Sequence, residues 1–272
     1  MRRLASNVVD VVDGDTYYRA VTDGEATALL AVRAAGPSAI ELRATGRDPD
    51  RWAPTVERLL GTAADLTQWY RRSGRVAWLR PIATALRGLK PPRYPSLWEA
   101  CAHAIVFQQI SIHAAASIMR RAVEGLGDTA TAGAVRCIAF PPPDRWLGAG
   151  DATLAGAGLS RNKIGHIRSA AAAFVEESID EAGLQLLTTP EAAQRLCGIR
   201  GIGPWSAAVV LLRGLGRLDI FPLRDSGVAR SLALLSGDAA IDQAELLERL
   251  GPVRGMLYYH LLLGRLRNLV PL

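Results

Sequence analysis

Cysteine is scarce: the 272 residues hold three, Cys101, Cys137 and Cys197, far apart in the chain. No C-x-x-C pair occurs, which argues against a zinc site or a cysteine-held iron–sulfur cluster. An odd, sparse count argues against a disulfide scaffold and fits a reducing cytoplasm. The four histidines, His103, His113, His166 and His260, are dispersed and read as solvent or core residues rather than metal ligands. No stretch approaches the roughly 18 uncharged apolar residues that a membrane span needs. The opening MRRLASNVVDVVDGD is basic, but Asp10 and Asp13 cut its apolar run, so it does not read as a secretory signal. Internal repeats and low-complexity segments are also missing.

Apolar residues are plentiful at 49%, enough for a packed core. Lys and Arg number 32 against 26 Asp and Glu, a net charge of +6. A basic balance points to an acidic partner, nucleic acid being the commonest. The length suits two or three modest domains.

Residues 1–88 read as a mixed α+β domain. Tyr17–Val21, Ala26–Val32 and Ala39–Arg43 are short apolar or alternating runs, punctuated by Gly14, Asp23-Gly24 and Gly36-Pro37. That pattern predicts strands joined by turns. Arg51–Leu60 and Ala63–Arg72 have helical spacing. Pro91, Pro92 and Pro95 mark a connector, and residues 89–272 form a second, almost wholly helical domain. Ser96 and Glu99 predict a capping box for its first helix, whose core face would carry Leu97, Cys101, Ile105 and Ile110. Phe140-Pro141-Pro142-Pro143 breaks the chain again, and helices are expected near 161–177, 189–197, 204–215, 225–236, 241–249 and 253–267.

Leu196–Ser206, LCGIRGIGPWS, carries the most information. One helix runs into Gly198 and the next starts at Pro204, a favoured first helical residue. Gly201 and Gly203 permit positive φ and let an anion approach the backbone, where first-turn N–H groups point outward. Such a loop grips a sugar–phosphate backbone without reading sequence. A plain αα-turn would use the same glycines for a tight reversal alone. A dinucleotide-binding reading fails, because no strand precedes the glycines.

The segment resembles the hairpin of the helix-hairpin-helix DNA glycosylases, in particular the 3-methyladenine DNA glycosylase II branch. Asp219–Asp225, DIFPLRD, is similar to the stretch leading to that family's catalytic aspartate, and Asp225 follows Trp205 by twenty residues, the family's spacing. Ile105–Ser111 resembles its I-x-x-Q-Q-x-S loop, Gly158–Lys163 its G-L-S-x-x-K segment and Gly251–Gly255 its P-x-R signature. The first domain, with Gly14–Arg19, resembles the N-terminal antiparallel-sheet domain of the branch.

The resemblance implies an α+β protein with a helical core of two subdomains flanking a cleft. It implies a monomeric, monofunctional enzyme, cytoplasmic and nucleoid-associated, with no membrane contact. The enzyme would flip alkylated bases (3-methyladenine, 7-methylguanine) out of double-stranded DNA and hydrolyse their N-glycosidic bond. Asp225 would stabilise positive charge on the deoxyribose and activate water, although an Asp there also suits a helix N-cap. Trp205 stands where lyase members of the family carry a nucleophilic lysine, so no β-elimination is expected. Gln109, helped by Gln108, would fill the gap left by the flipped base. Trp205, Tyr258, Tyr259 and Leu262 would form the base pocket. Gly201, Gly203, Trp205, Ser206, Arg161 and Lys163 would meet the DNA backbone, with Arg224 a further phosphate contact. No cofactor is required. The carbonyls of Cys197, Ile199 and Ile202 would hold a structural Na⁺ or K⁺.

Leu262, Val209 and Ser226 stand where family members have aromatic pocket residues. The lesion therefore stays open between alkylated purines and another base such as uracil, hypoxanthine or a bulky adduct. A non-catalytic damage binder using the same hairpin is the remaining alternative, and retention of Asp225 speaks against it.

Overall fold

The computed structural model describes residues 7–22, 26–46, 48–236 and 241–266. Four strands, β1 (Asp10–Asp13), β2 (Thr16–Thr22), β3 (Thr27–Ala34) and β4 (Ile40–Ala44), form an antiparallel sheet in chain order. A second hairpin pairs β5 (Thr129–Ala132) with β6 (Val135–Ile138). The helices are α1 (Ala53–Leu60), α2 (Thr67–Ser73), α3 (Leu79–Ala85), α4 (Leu97–Val106), α5 (Ile112–Leu126), α6 (Pro143–Gly148) and α7 (Asp151–Gly156). They continue with α8 (Arg161–Val175), α9 (Glu181–Leu186), α10 (Thr189–Cys197), α11 (Pro204–Val210), α12 (Ser226–Ser236), α13 (Gln243–Leu250) and α14 (Gly255–Leu266). The molecule is therefore mainly helical with an antiparallel N-terminal sheet. Among the described residues, no helix is long and apolar enough to cross a membrane.

Contacts divide the chain into two compact units. One holds the residues up to Val56, Cys101–Ile179 and Ile199–Gly201; the other holds Glu57–Ala100, Asp180–Gly198 and the residues from Ile202 onward.

In the first unit the three strands anticipated from apolar alternation are present as β2–β4. The turn expected at Asp23-Gly24 lies outside the described residues. Strand β1 was hidden by its aspartates. Asp10 is buried, and Arg19 Nη1 donates to its Oδ1 at 2.6 Å. Such a pair in a dry interior is held by its hydrogen bonds, and losing either partner strands a charge.

The expectation of an almost wholly helical chain after Ser96 fails at β5 and β6. Each strand has only four residues, and Thr-Ala-Thr-Ala carries little strand signal by itself. Tertiary packing supplies the rest: Ala130, Cys137 and Ala139 bury against Ala20 and Leu29 of the main sheet, and Ile138 N bonds Val8 O at 2.8 Å.

Helix α4 starts as anticipated, with Ser96 Oγ accepting from Glu99 N at 3.1 Å, and Leu97, Cys101 and Ile105 are buried. It stops at Val106, however, so Ile110 falls beyond the core face and is 38% exposed. Helix α8 is capped by Ser160, whose Oγ accepts from Lys163 N at 3.3 Å. It buries Ile164, Ile167, Ala170 and Ala171, a single apolar stripe.

The second unit is packed around Trp69, Leu79, Leu212, Leu250, Met256, Leu257 and Leu261. Helix α3, absent from the sequence reading, accommodates Pro81 because a first helical turn has no use for that N–H. A π-helical turn, Leu211–Leu215, continues α11.

Candidate active site

The anticipated hairpin is present. Thr188 and Glu191 close a capping box at the start of α10, which runs to Cys197 with Gly198 as its C-cap. Pro204 opens α11 after Gly203. The two loop glycines serve different ends. Gly201 has φ +95°, and a Cβ there would meet the His166 side chain at 2.4 Å, so only glycine fits. Gly203 departs from the expected positive φ: at φ −93°, ψ −179° it is extended, and any residue could adopt that backbone. Nothing lies within 4 Å of a Cβ at Gly203, so its face is open. No side chain caps α11.

Asp225 closes the start of α12. Its Oδ1 accepts from the N–H groups of Gly227 and Val228, both at 3.0 Å. Its Oδ2 accepts from Trp205 Nε1 at 3.1 Å. Capping and a role at the hairpin thus coexist in one side chain. A carboxylate offers about four acceptor positions, and three are used, leaving room for one more donor such as water. Asp225 and Trp205 are both half-buried. Arg224, exposed and immediately before Asp225, has φ +62°, a conformation non-glycine residues adopt only when their surroundings hold them there.

The other expected pocket residues lie deeper. Tyr258 and Tyr259 are buried and meet edge to face at 5.9 Å. Burial raises both phenol pKa values, Tyr259 to about 12, and the Asp225 charge adds to the rise at Tyr258. The Tyr259 hydroxyl donates toward the carbonyls of Pro92 at 3.3 Å and Leu212 at 3.4 Å. Leu262 is half-buried against the same core. Sequence reasoning missed Arg213, on the π-helical turn, which stacks over Tyr94 with its guanidinium 4.5 Å from the ring centre. It also missed Trp205 as a hydrogen-bond donor to Asp225; the twenty-residue spacing was the available signal.

In the first unit, Gln109 is exposed at the tip between α4 and α5, with φ +57°. Gln108 Nε2 donates to Gly201 O at 2.8 Å. Lys163 Nζ donates to Val106 O at 2.6 Å and Gln108 O at 2.9 Å. Arg161 is exposed at the start of α8, and Ser206 is buried inside α11. Among the described residues, no backbone N–H outside the helices bonds the carbonyls of Cys197, Ile199 or Ile202. The thiols of Cys101 and Cys137 are buried, and burial pushes Cys137 up to about 11.

Comparison with known proteins gives the family. The protein is 30% identical over 171 residues to a DNA-3-methyladenine glycosylase of Bacillus subtilis (strain 168), a match covering 63% of this chain and 56% of that one. The chain spans about half the length of the curated relatives it matches. Its fold superposes on a 3-methyladenine DNA glycosylase from Archaeoglobus fulgidus with TM-score 0.79 and 26% identity, covering 94% of this chain and 89% of that one. A Schizosaccharomyces pombe 3-methyladenine DNA glycosylase, solved in complex with abasic DNA, matches with TM-score 0.60 and 20% identity, over 73% of this chain and 96% of that one. The family described as HhH-GPD superfamily base excision DNA repair protein matches residues 102–253, more than half of the sequence, and the chain belongs to that superfamily.

Proposed function

We propose that this protein is a monofunctional DNA glycosylase that hydrolyses the N-glycosidic bond of N3- or N7-alkylated purines in double-stranded DNA. The observation that carries the reading is the bond from Trp205 to Asp225, which ties the first turn after the hairpin to the only carboxylate at the start of α12. As the bond to the base breaks, positive charge grows on the deoxyribose, and the Asp225 carboxylate stabilises it. Its remaining acceptor position takes a proton of the attacking water. The electrons of the broken bond leave with the base. An alkylated purine already carries positive charge and needs no general acid.

Backbone groups around Gly201, Gly203, Trp205 and Ser206 grip the DNA strand, Arg161 at the start of α8 adds a phosphate contact, and Gln109 fills the gap left by the flipped nucleotide. Trp205 offers the flipped cationic base an aromatic face. The carbonyls of Cys197, Ile199 and Ile202 hold a monovalent cation that stiffens the hairpin. Helix α11 carries no lysine, so no amine attacks the sugar. The enzyme works as a cytoplasmic monomer.

A second reading, a relative tuned to another damaged base, rests on the aliphatic Val209 and Leu262 and the exposed Ser226. A panel assay for free base released from duplexes bearing 3-methyladenine, 7-methylguanine, hypoxanthine, uracil or ethenoadenine separates the two. Release of the two methylated purines above all others supports the first reading. Release of none of the five overturns both.

A further inference from the structure

We propose that Lys163 is a positioning residue for Gln109, and that α8 sets the Gln109 loop and the hairpin tip at Gly201 in one register. The inference rests on the reading of Gln109 as the residue inserted into opened duplex. Helix α4 ends at Val106, and the carbonyls of its last turn need donors from elsewhere. Lys163 supplies them: its ammonium bonds Val106 O at 2.6 Å and Gln108 O at 2.9 Å. A cation at a helix C-terminus is favoured by the helix dipole. The Gln108 carbonyl belongs to the peptide that leads into Gln109. Lys163 therefore fixes the plane from which Gln109 departs at φ +57°. Burial lowers the Lys163 pKa from the ordinary lysine value, and the two carbonyls offset that loss of hydration.

The second tie runs from the same loop to the hairpin. Gln108 Nε2 donates to Gly201 O at 2.8 Å. Gly201 rests against His166, one turn beyond Lys163 on α8, so closely that no Cβ fits between them. One face of α8 thus touches both loops, through Lys163 and His166. A strand held at Gly201 meets Gln109 at a fixed offset, and insertion needs no search by the loop. That preorganisation matters only where a duplex must be opened.

The test uses Lys163→Met, which keeps the aliphatic stem and removes the donors, together with Lys163→Arg, Gln109→Ala and the Lys163→Met/Gln109→Ala pair. Insertion is read by 2-aminopurine fluorescence opposite an abasic analogue in a duplex, a signal independent of any chemistry. Base release is read under single-turnover conditions on duplex and on single-stranded DNA of the same sequence. Lys163→Met is expected to lose the fluorescence change and to slow release from duplex about tenfold, but from single strands by less than about twofold. Lys163→Arg restores most of the loss. The pair is no slower than Gln109→Ala alone. Gln108→Met, which cuts the tie to Gly201, gives the same signature should Lys163→Met not fold. An unchanged fluorescence response, equal losses on duplex and single strands, or additive losses in the pair would overturn the proposal. So would a salt-dependence slope of binding reduced by about one, the mark of a lost phosphate contact. A wild-type protein that inserts into duplex but releases none of the panel bases would sink the glycosylase reading and leave this one standing.

Discussion

Trp205 donates its indole N–H to Asp225 Oδ2 at 3.1 Å, across twenty residues of sequence. The bond joins the hairpin helix α11 to the N-terminus of α12 and orients a carboxylate whose other oxygen is occupied by backbone N–H groups. An acid held on both sides cannot rotate freely, and such preorganisation is what the proposed electrostatic role requires.

Replacing Asp225 by Asn separates its two duties. Asn still caps α12 through its carbonyl oxygen, so stability falls by no more than about 1 kcal/mol. Its amide faces the Trp205 N–H, donor against donor, and carries no charge to stabilise the sugar cation. Single-turnover base release should drop at least about a hundredfold with DNA affinity largely kept. Thermal melts and gel-shift titrations alongside the rate measurement check this; a variant that cuts at the wild-type rate removes Asp225 from the mechanism.

Trp205→Phe keeps an aromatic face and deletes only the donor. If the indole N–H orients Asp225, the loss appears in kcat, about tenfold, with little change in KM. If the ring serves solely to hold the base, kcat stays and KM moves. Trp205→Leu removes both contributions and should be the slower of the two.

Much of this arrangement was legible in the sequence, and the reasons for the gaps are physical. Pro204 and Gly201 announce the hairpin because each has a backbone role that other residues fill poorly, whereas Gly198 sits at φ −66°, ψ −19°, a helical conformation open to any residue. Gly203 has no such backbone need: its backbone is extended and nothing lies within 4 Å of a Cβ there, so within the protein a larger residue would fit. Strand β1 escaped notice because Asp10, a residue that normally breaks a strand, is buried against Arg19. The hairpin β5–β6 escaped because its stability comes from distant partners in the main sheet. The hydrogen bonds of Lys163 could not be read from sequence at all, since they reach carbonyls more than fifty residues away.

His260 makes stability depend on pH. It is buried, accepts from Trp69 Nε1 through Nε2 at 3.1 Å, and its Nδ1 lies 2.9 Å from Met256 O, so the ring is neutral with the proton on Nδ1. Burial lowers its pKa from 6.5 to about 4. The unfolded chain therefore takes up a proton below about pH 6.5 that the folded one refuses until about pH 4. The stability it contributes is complete above pH 6.5 and is lost as pH falls from there towards 4, at most about 3 kcal/mol. Urea melts followed by tryptophan fluorescence at pH 7.5, 6 and 5 should show the decline. His260→Gln should flatten it, at a lower starting stability.

The two loop glycines should respond in opposite ways to a methyl group. Gly201→Ala forces φ +95° on an alanine and drives its Cβ into the His166 side chain, costing roughly 1–3 kcal/mol of stability. Gly203→Ala leaves the backbone in an extended conformation that alanine adopts freely, with nothing nearby to strike, so the melting curve should move by less than about 0.5 kcal/mol. On the proposed grip, that methyl projects where a phosphate would approach the start of α11, and affinity for abasic duplex should fall about tenfold. Measuring melts and binding for both variants tests the grip on DNA apart from the fold: unchanged affinity in Gly203→Ala would mean that the backbone at this turn does not meet the strand.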